Sequence, residues 1–500
     1  MNSKFLTGNK SNTGQAFWVA TGSFSSFALS IISAAILSRY LSKTEYGSYR
    51  QVIYVYNTLL VVFTAGLPRV FSYFLPRYNL SEGKEIVIKI SRVLLFTGLA
   101  FSIFLFICSD LIAVILKNPE LSRGLKFFSP VPLLLMPTLG IEGIFSTYKK
   151  TIYIALYQII TRMLMLLLIV LPVIIFSRSY LNAIYGWILG SMIILVIAYF
   201  FKGIPFRGVS LEKSGLGFKE ILSYSLPLVS ASIAGTIYRS ANQFYISRYF
   251  GPEVFAEFSN GFIIIPFVSM ITGATSTVLM PAFARIIHEK GDVSKITTLW
   301  QNALGKSAIL IYPIVIYFLF YSEEVVTIVY SEAYTASSVY FSIAMVLSFF
   351  NIIVFTPLLL ALGESKFYAR MHYGLAITTW LVQYIVIILF DSPAVVAISY
   401  VIIAICGLFI AIWYVAKKLK VTFFSLFPVS RLFIIAMHSF ISLLIVDLLF
   451  RIILPEVIDI LFLTIVGAAF LCVLLISAKL VKINYLEIIK PLLYGRNDGK

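Results

Sequence analysis

Long apolar runs separated by short polar punctuation recur from one end of the chain to the other. The clearest uncharged runs cover 11–38, 179–201, 258–284, 333–363, 371–390 and 392–416. A helix needs about 20 mostly apolar residues to cross a hydrocarbon core of roughly 30 Å, so each run is long enough to span a bilayer. Dividing the rest at turn residues and charge clusters predicts fourteen helices: 16–38, 50–67, 90–109, 125–147, 151–176, 181–201, 220–245, 257–283, 300–321, 336–361, 367–390, 393–416, 431–453 and 458–480. The first is longer than the roughly 7–15 residue core of a signal peptide, and it reads as a retained helix. The longest connection is 202–219. The pattern therefore predicts an all-α polytopic membrane protein with two pseudo-symmetric six-helix bundles, 1–201 and 220–416. A cytoplasmic linker, 202–219, joins them, and a helix pair with a cytoplasmic tail, 417–500, follows.

Composition strengthens this picture. Of the 500 residues 60% are hydrophobic and 12% charged, against about 25% charged in a soluble domain, and mean hydropathy is +0.95. The net charge of +17 would suggest nucleic acid in a soluble protein, but its placement says otherwise. With the N-terminus cytoplasmic, 27 of the 39 Lys and Arg fall on the cytoplasmic side, nine on the other and three within helices. The positive-inside rule then puts both termini in the cytoplasm, so the basic surplus is a topology signal and no nucleic-acid partner is expected. Trp18, Trp300 and Trp413 near segment ends read as interfacial anchors. Cys108, Cys406 and Cys472 all lie in apolar runs, which fits neither a disulfide framework nor a metal cluster.

The chain also repeats itself. Leu37-Ser38-Arg39-Tyr40-Leu41 is echoed by Ile246-Ser247-Arg248-Tyr249-Phe250, and Tyr46-Gly47-Ser48-Tyr49 by Phe255-Ala256-Glu257-Phe258, at one offset of 209 residues. Six helices separate the copies. An even number gives both halves the same orientation, and hence a pseudo-two-fold axis along the membrane normal.

With the Ser38-Arg39-Tyr40-Leu41 … Glu45-Tyr46-Gly47 turn, the Tyr224-Ser225-Leu226-Pro227 start of helix seven and the Gly251-Pro252-Glu253 … Phe255-Ala256 turn, the chain resembles the polysaccharide and lipid-linked oligosaccharide exporters, O-antigen-type flippases included, of the multidrug/oligosaccharidyl-lipid/polysaccharide superfamily. Ala256 stands where that pattern usually has Gly. The resemblance covers nearly the whole chain. It implies two bundles rocking around a central cavity, with a polyprenyl-diphosphate-linked glycan as substrate, membrane lipid around it and other polysaccharide-assembly proteins as candidate partners. It also implies a bacterial inner membrane.

Charges inside apolar helices are costly, about 2.5–3.5 kcal/mol each on insertion scales, and each calls for a reason. Glu142, Arg162, Arg239 and Lys306 lie well within their runs, and Asp447 and Arg451 nearer an end. In helix seven Ser225, Ser232, Thr236, Arg239 and Gln243 share an arc of about 60°, a stripe suited to a cavity or a partner helix. Ser23, Ser26, Ser30 and Ser33 form a second stripe in helix one. A diphosphate needs compensating cations to cross hydrocarbon, and guanidinium groups supply bidentate bonds to its oxygens. The substrate-binding candidates are thus Arg239, Arg162, Lys306, Gln243, Thr236 and Ser232. Glu142 is a candidate coupling residue or an ion-pair partner of Arg162, and Arg39 and Arg248 are either snorkelling anchors or an outer gate. In helix four, Pro130, Pro132, Pro137, Gly140 and Gly143 predict a bend around Glu142, and His438 reads as a packed neutral imidazole.

No GxxxxGK[ST], no HExxH and no paired carboxylates on one helix occur. Catalytic residues, metal ligands and cofactors are therefore not expected, and the chain is not expected to be an enzyme. The expected function is transport of lipid-linked oligosaccharide from the cytoplasmic to the outer leaflet by alternating access, for surface polysaccharide biosynthesis. The alternatives are a multidrug extruder of the same superfamily, an integral-membrane polysaccharide polymerase or glycosyltransferase, and a nonconducting scaffold.

Overall fold

The computed structural model describes residues 12–289, 291–453, 459–479, 481, 483 and 485; side chains at 12, 13, 15–17, 227–231 and 459 fall outside that description. The N-terminal stretch 1–11 and the tail from 486 onward, both assigned to the cytoplasm above, lie outside the described residues. Among the described residues every regular element is helical. The first ten α-helices are α1 (Asn12–Tyr40), α2 (Lys43–Thr64), α3 (Leu67–Phe74), α4 (Leu80–Ile115), α5 (Pro119–Phe128), α6 (Pro130–Leu135), α7 (Ile141–Thr147), α8 (Ile152–Ile175), α9 (Tyr180–Gly203) and α10 (Phe218–Gly261). The rest are α11 (Pro266–His288), α12 (Val293–Phe320), α13 (Ser322–Tyr330), α14 (Ser337–Phe350), α15 (Thr356–Ala361), α16 (Ser365–Phe390), α17 (Pro393–Leu419), α18 (Phe423–Leu426), α19 (Val429–Ile453) and α20 (Asp459–Ser477). Eleven helical stretches are long and apolar enough to cross a bilayer, and the bent pair Lys43–Thr64 and Leu67–Arg77, angled by 44°, makes a twelfth. The other two expected spans correspond to α10 and to α14 followed after a break by α15. The polytopic all-α fold is as the hydropathy pattern predicts.

Several spans are broken where one continuous helix was expected, and the breaks have local causes. Span four is divided into α5, α6, a 3-10 turn at Met136–Thr138 and α7, because prolines remove backbone donors and Gly140 adopts φ +90° against the Phe71 ring. A break inside the membrane frees carbonyls that need partners. Lys202 supplies one: its Nζ donates to Pro137 O at 2.7 Å and to Ser91 Oγ at 3.0 Å. Lys202 was expected to begin the cytoplasmic linker. It is instead 4% exposed in the last turn of α9.

In α10 the helix continues past the expected end at 245, with a break at Gly251 (φ 80°, ψ −178°). That conformation is open essentially to glycine alone and costs other residues about 1–3 kcal/mol. A Cβ at Gly251 meets no atom within 4 Å, so Gly251→Ala isolates backbone strain from crowding. It is expected to lower the thermal midpoint of the purified protein by a few degrees; an unchanged midpoint would show that the turn relaxes at no cost.

The chain divides into two compact units, one comprising the described residues up to Ser259 with Thr379–Val396, the other Asn260–Thr378 with the described residues from Ala397 onward. In the first, glycines set how closely helices approach. A Cβ at Gly186 of α9 would strike the Leu168 carbonyl of α8, and one at Gly190, a turn later, would stand 2.6 Å from Met165 Sδ; this is the small-residue packing that brings membrane helices together. Gly22 of α1 lies similarly against Ala155 and Gln158 of α8.

In the second unit, α19 and α20 are tied to α12 by polar contacts. Tyr317 Oη donates to Leu463 O at 2.6 Å, and Tyr321 Oη to Asp447 Oδ1 at 2.6 Å. Asp447 also accepts from Arg451 Nε at 2.9 Å, so these two charges neutralise each other locally. Trp300 is not an interfacial anchor: it is 2% exposed and its Nε1 donates to Leu426 O at 2.7 Å, burying ring and donor together. Trp413, by contrast, is exposed. His438 is buried between Tyr485 Oη at 3.0 Å and Ser477 Oγ at 2.8 Å, in accord with a packed imidazole. In the loop after α15, Lys418 and Tyr414 bond the half-buried Glu364 carboxylate, each at 2.6 Å, and hold it below the usual carboxylate range.

Candidate functional site

The family-like turn after α1 explains how the first unit is arranged at one end. Ser42 adopts an extended conformation and caps α2, accepting from Glu45 N at 3.2 Å. Helix α2 therefore starts at Lys43, two turns earlier than expected. Glu45 sends its carboxylate to a different helix, where it accepts from Tyr180 N at 2.6 Å; a negative charge at the start of α9 favours both the free N–H groups and the helix dipole. Gln51, Ser48, Asn118 and Ser247 form a buried network: Asn118 Nδ2 donates to Gln51 Oε1 at 2.6 Å and to Ser48 Oγ at 3.0 Å, and Gln51 Nε2 to Ser247 Oγ at 2.8 Å.

Between α1, α2, α8 and α9 lies a cavity of about 310 Å³. Its polar lining is Ser30 and Ser33 of α1, Tyr49, Arg50 and Asn57 of α2, Arg162 of α8 and Trp187 of α9. Trp187 Nε1 donates to Tyr49 Oη at 3.0 Å, which fixes both rings in the wall. Arg162 opens onto the cavity, with Tyr56 and Tyr157 as its electrostatic neighbours. Among the described residues no ion pair includes Arg162, and the lining contains no carboxylate. Two guanidinium groups facing one space without a counter-charge suit an anion carrying about two negative charges. Hydroxyls and an indole beside them suit sugar or phosphate ester oxygens.

The cavity unites Arg162 with half of the serine stripe of α1. It adds Arg50, absent from the expected set because the hydropathy pattern puts 50 at a helix boundary; the spacing Ser42-x-x-Glu45 is a capping signature that moves the start of α2 and places Arg50 inside the membrane helix. The α10 stripe does not line it. There Arg239 is exposed, with its guanidinium lying over Gly235 of its own helix; Thr236 Oγ1 donates to Ser232 O at 2.9 Å, and Gln243 is exposed. Lys306, exposed in α12, belongs to the other unit. Glu142 does not pair with Arg162: Gln158 Nε2 donates to its Oε1 at 2.6 Å. Arg248 donates to Ile115 O, the last carbonyl of α4, as a cation at a helix C-terminus does. Arg39 is exposed at the end of α1. Among the described residues no His, Cys, Asp or Glu group is arranged to hold a metal ion.

Solved structures share this architecture. The lipid II flippase MurJ in an inward closed conformation superposes with a TM-score of 0.70 at 15% identity, over 93% of this chain and 99% of that one. A multidrug resistance MATE family transporter of the MOP superfamily in an inward-facing conformation gives 0.63 at 14%, over 79% and 94%. A MOP superfamily transporter from Pyrococcus furiosus gives 0.57 at 14%, over 81% and 94%. At such identities the likeness is one of fold, and it bears out the architecture that the turn motifs implied. No curated protein matches the chain in sequence. Residues 36–339, more than half of the chain and including both copies of the repeated turn, match the profile of the polysaccharide biosynthesis protein family, and the chain belongs to that family.

Proposed function

We propose that this protein carries a polyprenyl-diphosphate-linked glycan from the cytoplasmic to the outer leaflet of a bacterial inner membrane by alternating access, for surface polysaccharide assembly, with both termini in the cytoplasm. The observation that carries this reading is the cavity with Arg50 and Arg162 on its wall and no acid. Taking an uncompensated diphosphate across hydrocarbon is prohibitive, and the two arginines offset that cost. At about 310 Å³ the space is at the low end for ligand sites, so it takes the head group, while the polyprenyl tail stays in lipid and the sugars enter as the bundle opens. Arg239, Gln243, Thr236 and Ser232 on α10 and Lys306 on α12 are proposed to meet the substrate in other states of the cycle. Two members of the shared fold are named for multidrug resistance or for lipid II. An acid-free, arginine-lined cavity favours an anionic lipid over a cationic drug.

Reconstitution into vesicles with fluorescent polyprenyl-diphosphate oligosaccharide tests the reading. The label is expected to cross to the opposite leaflet with its glycan length unchanged. Movement of a cationic dye instead of the lipid would favour drug export, elongated glycan would favour a polymerase, and neither movement nor change would leave a scaffold.

A further inference from the structure

The repeat offset of 209 residues returns in the contacts. Thr44 Oγ1 donates to Glu253 Oε1 at 2.5 Å, and Arg50 Nη2 to Ser259 O at 3.1 Å; both pairs are 209 residues apart. A residue that touches its own repeat mate lies on the axis relating the copies, so these two bonds mark where the pseudo-two-fold passes. Around them Lys43 Nζ pairs with Glu257 Oε1 at 2.6 Å, Gln51 bonds Ser247, and Gly47, by lacking a Cβ, admits the carbonyl of Pro252. The two turns that carried the family resemblance thus close on each other. On the topology proposed above, they do so at the outer surface.

The contact of α8 with α9 is glycine-mediated. The contact between the turns adds charges and hydroxyls to the buried Gln51–Ser247 bond, with Lys43 34% and Glu257 15% exposed, and an ion pair that water reaches holds helices together only weakly. The segment beyond Gly251 also has a hinge, since Gly251 carries the glycine-only conformation. Arg50 belongs to both places: it lines the cavity and holds Ser259 O. We propose that this cluster is the outer gate, seated on the repeat axis, and that Arg50 is the positioning residue through which an anionic head group in the cavity releases it, by drawing the guanidinium away from Ser259. The second half of the proposal rests on the diphosphate reading; the gate itself does not.

The test uses full-length protein in sealed vesicles with Cys108, Cys406 and Cys472 changed to alanine and Asn57→Cys placed in the cavity wall. A membrane-impermeant thiol reagent is added on the outer side. Glu257→Gln is expected to raise the labelling rate about fivefold or more, a typical coupling magnitude, and the exchange Lys43→Glu with Glu257→Lys to return it toward the parent. Thr44→Cys with Glu253→Cys is expected to stop labelling on oxidation and restore it on reduction. Each variant is first checked for a monodisperse size-exclusion profile. Labelling unaffected by Glu257→Gln, or an exchange as fast as the single variant, overturns the gate.

Sodium pyrophosphate is then expected to speed labelling of the parent and not of Arg50→Gln. Pyrophosphate that binds by calorimetry without changing the rate overturns the role of Arg50 while leaving the head-group reading standing. Pyrophosphate that does not bind overturns that reading and the Arg50 link with it, and the gate is still decided by the charge exchange.

Discussion

Arg162→Ala is expected to reduce glycan-lipid transport by about two orders of magnitude or more while leaving the protein folded. Folding is spared because Arg162 opens onto the cavity and, among the described residues, belongs to no ion pair; its loss leaves no carboxylate stranded. Transport is not spared, because the head group then faces Arg50 alone. Removing one partner from a desolvated charge contact costs about 3–5 kcal/mol, and about 1.4 kcal/mol is a factor of ten. Arg162→Lys keeps the charge and loses the planar fork, and on a bidentate site that exchange is not conservative, so it is expected to fall between wild type and alanine. The measurement is the initial rate of leaflet exchange of fluorescent polyprenyl-diphosphate oligosaccharide in vesicles holding equal amounts of each protein. Wild-type exchange by Arg162→Ala would remove the cavity from the transport path.

How much of this was legible beforehand depends on how each residue is paired. Spans were legible because twenty apolar residues have few other uses in a chain. Breaks were harder, since Pro130, Pro132 and Pro137 announce a disturbance without saying whether it bends or severs the helix. The outcome depends on Lys202, 65 residues later, taking up the Pro137 carbonyl. Trp300 misled because nearness to a helix end says nothing of what lies beside it; Leu426 covers it. Arg162 could be found as a charge in an apolar run, whereas Arg50, at an expected helix boundary, is found only by reading the Ser42-x-x-Glu45 cap that puts it inside the helix. Glu142 and Arg162 are of opposite sign on neighbouring spans, yet Gln158, a turn before Arg162, holds the carboxylate. A wheel gives the face within one helix, and the rotation of each helix in the bundle comes from its packing.

That packing carries the other large effect. Gly186→Leu is expected to abolish assembly of the first unit, and Gly186→Ala to cost at least about 1–3 kcal/mol, the usual penalty of overpacking. The added Cβ meets the Leu168 carbonyl and the Ile169 Cα. Those are backbone atoms of α8, which a rotamer change cannot move aside, so α9 must withdraw bodily. Its neighbour in sequence, Trp187, would then leave Tyr49 and deform the cavity wall, so that a Gly186→Ala protein recovered at low temperature should also transport slowly. Gly273 of α11 provides the contrast. It too lies within a membrane helix, but a Cβ there meets no atom within 4 Å, and alanine is the better helix former by up to about 1 kcal/mol. Gly273→Ala is expected to leave the thermal midpoint unchanged or slightly raised. Fluorescence-detected size-exclusion after a temperature ramp distinguishes the two. Equal midpoints for Gly186→Ala and Gly273→Ala would mean that the close approach of α8 and α9 does not hold the cavity together.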